Sequence, residues 1–210
     1  MSQLIETLTG VIIQLISSSG YLGIFILMAL ESVFIPIPSE ITMPFSGFLA
    51  ASGSLNFILV VLVGAVANLA GSIVGYYIGY FLEENVIVGV IKKYGKIILV
   101  TEHDYHQAKR WFEKYGDKIV FISRLLPGIR TFISLPAGIF EMDIKKFSIY
   151  TFAGSLIWSA GLTYVGFSAG KNWKVLEPIF RKLEIGIGVL FVVGLFLYIN
   201  HKLKIVRFKI

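Results

Sequence analysis

No cysteine occurs among the 210 residues. That excludes disulfides, thiolate nucleophiles, zinc knuckles and iron–sulfur clusters. Charge is scarce as well: 15% of residues are charged, against about 25% in soluble domains. Basic residues are missing altogether before Lys92, so all 19 Lys and Arg fall in the rest of the chain. With 56% hydrophobic residues and a mean hydropathy of +0.79, this excludes an ordinary cytosolic enzyme, a disordered tail and a nucleic-acid-binding module. The net charge of +6 then bears on membrane topology rather than on a polyanionic partner. The N-terminus has neither a basic n-region nor an A-x-A-like site, so no signal peptide is expected.

A membrane crossing needs about 20 apolar residues, so the length allows roughly four to six membrane segments and no separate soluble domain. The pattern predicts an all-α polytopic membrane protein, one membrane domain over 1–210. Residues 1–19 read as an amphipathic helix lying at the interface. Residues 21–53 are apolar but interrupted by Pro36-Ile37-Pro38-Ser39, and closely spaced prolines end a helix. Broken backbone at membrane depth must be shielded by protein or face a watery cavity. This segment is therefore expected to be a re-entrant hairpin. Residues 55–82 read as a transmembrane helix, with Gly71, Gly75 and Gly79 on one face for close helix approach. The polar stretch 83–118 reads as two cytoplasmic amphipathic helices. Residues 119–140, broken at Pro127-Gly128, read as a second re-entrant hairpin. Residues 146–170 and 178–200 read as two further crossings, the last a C-terminal transmembrane helix.

The halves resemble one another at an offset of 91. It superposes Pro36 on Pro127, Gly47 on Gly138, Ile58 on Ile149, Val74 on Val165, Gly75 on Gly166 and Gly79 on Gly170. Single Val and Ile matches are what chance gives; Gly and Pro landmarks in the same register favour an internal repeat of hairpin plus crossing. One crossing separates the hairpins, so the repeat is expected to be inverted. Placing 83–118, 141–146 and the C-terminal tail inside collects thirteen of the 19 basic residues. That puts the C-terminus in the cytoplasm and the N-terminus outside.

Four ionisable residues fall within the hairpins: Glu31 and Glu40 in the first, Arg124 and Arg130 in the second. A charge inside the membrane costs at least about 2.5–3.5 kcal/mol and is a functional hypothesis by default. If the tips meet, two carboxylates face two guanidiniums. The arginines suit a phosphate headgroup, since the planar fork stays charged. The glutamates are candidates for proton coupling. The plainer reading is a static salt bridge that locks the hairpins together. Pro36, Pro38, Ser39, Pro127 and Gly128 shape the tips. His103 and His106 sit three apart beside Glu102 and Asp104, and read as a solvated helix face rather than a metal site. Asn68 and Ser72 are expected to hydrogen-bond a neighbouring helix. Trp158 reads as packing and Trp173 as an interface anchor. No Walker A, HExxH or GxSxG element is present, so no enzymatic activity, cofactor or metal is expected.

The runs ESVFIPIPSE (31–40) and FISRLLPGIRTFISLPAG (121–138), each followed by a Gly-spaced crossing, resemble the DedA family, also described as the SNARE-associated or VTT-domain group. The resemblance covers about residues 20–200, and PIPSE is similar to the subgroup common in Gram-positive bacteria. It implies a multi-pass bacterial inner-membrane protein with two opposed re-entrant hairpins. It also implies a flippase that returns undecaprenyl phosphate between leaflets, probed through an acidic pair at Glu31 and Glu40 and an arginine pair at Arg124 and Arg130. Many members carry Asp where this chain has Glu40. The expected partners are a lipid phosphate, membrane lipids and protons. The alternatives are a phospholipid flippase or scramblase, such as one for phosphatidylethanolamine, and a proton or cation antiporter. The sequence sets no oligomeric state.

Overall fold

In the computed structural model, residues 2–35, 37–82, 86–89, 91–93, 101–127 and 129–170 are described, with the backbone alone for 2–8. Pro36, Gly128 and the expected crossing over 178–200 lie outside the described residues, as do Trp173 and the basic C-terminal tail. The described residues form helices and no strand.

Helix α1 (Ser2–Ser19) turns at Gly20 into α2 (Tyr21–Ser32). The expected surface helix is also a packing element, because Ile12 and Ile16 join Ile24, Leu27, Met28, Met43 and Val60 in the main apolar core. Helix α2 stops where Phe34 adopts a left-handed φ of 72°, a conformation uncommon for a bulky residue. The chain resumes as α3 (Ser39–Ala51), with Pro38 at the N-cap, where a missing N–H costs nothing. Helix α4 (Phe57–Tyr80) starts on the Asn56 side chain, which accepts from the Leu59 N–H at 3.1 Å. Among the described residues α4 is the one helix long and apolar enough to cross a membrane.

Of the two amphipathic helices expected over 83–118, the first lies largely outside the described residues. The second is α5 (Glu102–Ser123), opened by a Thr101/Asp104 capping box. It runs through the expected hairpin start at 119, because the first helix breaker after it is Pro127. Two short helices follow, α6 (Ile129–Phe132) and α7 (Ser134–Ile139). The last described helix is α8 (Ile144–Ala169), capped by Asp143 on the Lys146 N–H at 2.9 Å. It is long enough to cross, yet α4 alone meets the apolar requirement. The reason lies in its buried face, which carries Thr151, Gly154, Ser155, Ser159, Thr163 and Gly166.

Helix α4 is central, packed on α2, α7 and α8, and α3 packs on α8. Glycines set the closest approaches. A Cβ on Gly47 of α3 would overlap the Thr163 carbonyl of α8, and one on Gly166 would overlap the Pro44 carbonyl of α3. The arrangement is answered on the other side. A Cβ on Gly138 of α7 would overlap the Tyr76 carbonyl of α4, and one on Gly79 would overlap the Leu135 carbonyl of α7. Gly47 and Gly138 are 91 residues apart, as the sequence pairs them; Gly79 and Gly166 are 87 apart, one helical turn less. The contacts thus match Gly79 to Gly166, where the uniform offset matched Gly75 to it. The outer faces of these helices are apolar and exposed, with Ile58, Leu62, Val66, Val74 and Ile78 on α4 and Ile149, Ile157 and Val165 on α8. A patch this long marks a membrane or protein contact surface.

Overpacking typically costs about 1–3 kcal/mol. Gly79→Ala and Gly166→Ala should each lower the melting temperature of the purified protein in detergent. Gly161→Ala, which meets nothing within 4 Å, should leave it unchanged or raise it.

Candidate functional site

The two helix breaks come together. Phe34 after α2 stacks on Phe132 of α6 with ring centroids 5.8 Å apart, and its ring also lies over Gly75 of α4. Behind this contact sit Glu31, Arg124 and Arg130, which are 7%, 3% and 5% exposed. The structure pairs them unevenly. Arg130 Nη2 donates to Glu31 Oε1 and to Ser39 Oγ, so both sides of the first break are held by one guanidinium. Its Cζ lies 5.1 Å from the centre of the Trp158 ring, which is cation–π distance. Trp158 therefore does more than the packing expected of it.

Arg124 has a different environment. Its Nη1 donates to Ser72 Oγ at 2.8 Å and its Nη2 to Ser134 Oγ at 2.9 Å. Its Cζ lies 5.8 Å from the Phe147 ring, and its Cβ presses on Gly154 of α8. Among the described residues no carboxylate forms an ion pair with it. Its Nε has no hydrogen-bond partner, and neither has the second oxygen of Glu31.

The expectation of two carboxylates facing two guanidiniums is corrected to one direct pair. Glu40 is half-buried and accepts from Ser39 Oγ at 3.3 Å. Its link to Arg130 is that shared hydroxyl, which accepts from the guanidinium and donates to the carboxylate. Pro38 and Pro127 flank the breaks; Pro36 and Gly128 lie outside the described residues. Asn68 and Ser72 do bond neighbouring elements, Asn68 Oδ1 accepting from Ser32 Oγ at 2.7 Å.

Ser32 and Ser134 were not singled out by sequence. Their signal is weak but present: each is a lone hydroxyl at the edge of an apolar run, next to or four residues from a charged residue. No group of His and acidic residues suited to a metal occurs among the described residues. A concavity of about 550 Å³ between α5 and the α7–α8 turn, lined by Tyr115, Asp117, Asp143 and Lys146, is formed by other residues than the arginine cluster. It is surface relief, bridged by the exposed Lys146–Asp117 pair at 3.7 Å.

Buried charges held between broken helices, inside an apolar shell, define a membrane protein with an internal polar site. The VTT domain matches residues 37–168, so the chain belongs to the VTT-domain, or DedA, family. Undecaprenyl phosphate transporter A of Bacillus subtilis is 32% identical over 97% of this chain and 98% of its own. The Staphylococcus aureus protein of the same name is 33% identical over 79% of this chain and 82% of its own. A Lactococcus lactis protein named alkaline phosphatase-like is 32% identical over 91% and 92%. No solved structure matches the chain.

Removing one partner of a buried pair strands the other and costs about 3–5 kcal/mol. Glu31→Ala should therefore lower the detergent melting temperature strongly, and Glu40→Ala much less. Equal losses would contradict the unequal pairing.

Proposed function

We propose that this protein is a flippase for a lipid phosphate, undecaprenyl phosphate being the favoured substrate, in the bacterial inner membrane. The observation that carries the reading is Arg124, a buried cation whose hydrogen-bond acceptors are two serine hydroxyls. Serine hydroxyls are modest acceptors. A phosphate in their place would make charge-assisted, bidentate bonds to the same fork, roughly twice as strong. A phosphate dianion in hydrocarbon is prohibitively costly, and an excess buried guanidinium lowers that barrier while the isoprenoid tail stays in lipid.

The names of the relatives support the same substrate class. In this reading Arg124 holds the phosphate. Arg130 is the gated partner, engaged by Glu31 when the site is empty. Glu31 and Glu40 pick up and release protons as Arg130 exchanges between carboxylate and phosphate. The segments 21–53 and 119–140 are opposed re-entrant hairpins, each paired with a crossing in an inverted repeat. The reciprocal glycine contacts of α3 with α8 and of α7 with α4 support that plan. The protein is multi-pass, with the C-terminus cytoplasmic and the N-terminus outside.

The test is transbilayer movement of labelled undecaprenyl phosphate in proteoliposomes. Losing charge-assisted bonds of about 1.5–3 kcal/mol should slow movement by Arg124→Gln at least about tenfold, with the melting temperature little changed. Movement at the native rate would sink the assignment. A labelled phosphatidylethanolamine moving as fast as the polyprenyl lipid would transfer the reading to phospholipids.

A further inference from the structure

The buried face of α8 carries a second polar feature that the arginine cluster does not use. Thr151, Ser155, Ser159 and Thr163 recur every four residues, which stacks them on one side of a helix. They span about 18 Å at 1.5 Å per residue. All four are 0–2% exposed. The hydroxyls of Thr151, Ser159 and Thr163 have no hydrogen-bond partner. Buried hydroxyls elsewhere in the protein behave otherwise. Ser46 donates to the Thr42 carbonyl at 2.7 Å and Ser123 to the Val120 carbonyl at 2.8 Å, the usual local solution for such residues in helices.

Helix α4, which packs on α8, carries a buried polar residue as well. Asn68 of α4 is 2% exposed, and its Nδ2 has no partner although its Oδ1 is taken by Ser32. Gly64, one turn earlier on the same face of α4, meets Ser159 Oγ at 3.2 Å from its Cβ position. Both arginines meet the neighbouring stripe of α8, Arg124 pressing on Gly154 and Arg130 lying over Trp158, whose Nε1 is also without a partner.

Polar groups denied both water and protein partners are rare. An internal water needs two to four such groups. Hydroxyls supply both donors and acceptors, and the Asn amide supplies two donors. We infer that the α8 face from Thr151 to Thr163, closed by Asn68, holds a file of internal water that hydrates the buried ion cluster. The file keeps Glu31 and both guanidiniums in contact with solvent inside an otherwise apolar shell. It does not depend on which substrate is carried.

The absence of cysteine makes the test clean. Ser159→Cys and Thr163→Cys, purified and reconstituted, would be treated with a charged methanethiosulfonate, which reacts with the thiolate that forms in water. Ile24→Cys, in the apolar core, is the dry control. Both hydroxyl-face variants should react at least about tenfold faster than the control, because only a hydrated thiol ionises readily. The native protein gives an independent reading that needs no variant to fold. Met43 and Met28 are equally buried in the same apolar core, but the Met43 thioether also reaches Gly64, where Ser159 Oγ approaches α4. Radiolysis of water should oxidise Met43 several-fold faster than Met28. Folded Ser159→Cys reacting no faster than the control, or Met43 as protected as Met28, would overturn the inference.

Discussion

An arginine stays protonated at any realistic depth, and hydrocarbon does not tolerate it alone. The architecture around the site can be read as the answer to that constraint. Arg130 lies far along the chain from Glu31 and Ser39, yet it bonds both. It can do so only if the break after α2 and the break after α5 meet. Phe34 in its left-handed conformation turns the first break toward the second, where its ring finds Phe132. Such conformations cost of order 1–3 kcal/mol and persist where the surroundings over-determine them. Here the surroundings are an ion pair and a ring stack that exist only while the two breaks are apposed.

Close helix approach is the second requirement. Side chains as short as Ser32, Ser72 and Ser134 reach their partners only because neighbouring backbones nearly touch. Gly71 lets α4 lie against the Ala29 carbonyl of α2, beside Ser32, and Gly75 admits the Ser134 side chain. The glycines position the hydroxyls, and the hydroxyls position Arg124. Without a hydrophobic driving force between helices in lipid, packing of this kind is what remains to hold a bundle together. The same residues therefore serve stability and the site.

Much of this was legible in the sequence. Prolines 36, 38 and 127 announced two breaks because a missing N–H acts locally. Glu31, Arg124 and Arg130, set in apolar runs, announced a buried polar cluster because the cost of such charges is large wherever they pair. The pairing itself was not legible. Which carboxylate meets which guanidinium depends on the rotation of α2 and α3 about their axes, and a rotation of one residue exchanges Glu40 for Ser39. The glycine contacts pair Gly79 with Gly166, one turn from the register that an offset of 91 gives. A fixed offset ignores differences in length between the segments that join each break to its long helix, and repeated Gly spacing every four residues makes neighbouring registers look alike.

Helix α8 shows what an average along a helix hides. A crossing is recognised by being apolar, and that works when a helix turns its polar residues to nothing. Here Thr151, Ser155, Ser159 and Thr163 face the protein interior while Ile149, Ile157 and Val165 face outward. Averaged along the chain, the two faces cancel, and the helix drops below the apolar requirement that α4 meets. Yet the averaging discards the informative quantity, which is the side each residue takes. A helix that lines a polar site in lipid must carry polar residues on its inner face, because every buried polar group there needs a partner. The mean hydropathy of such a helix is therefore lowered by its inward residues, however apolar its outer face.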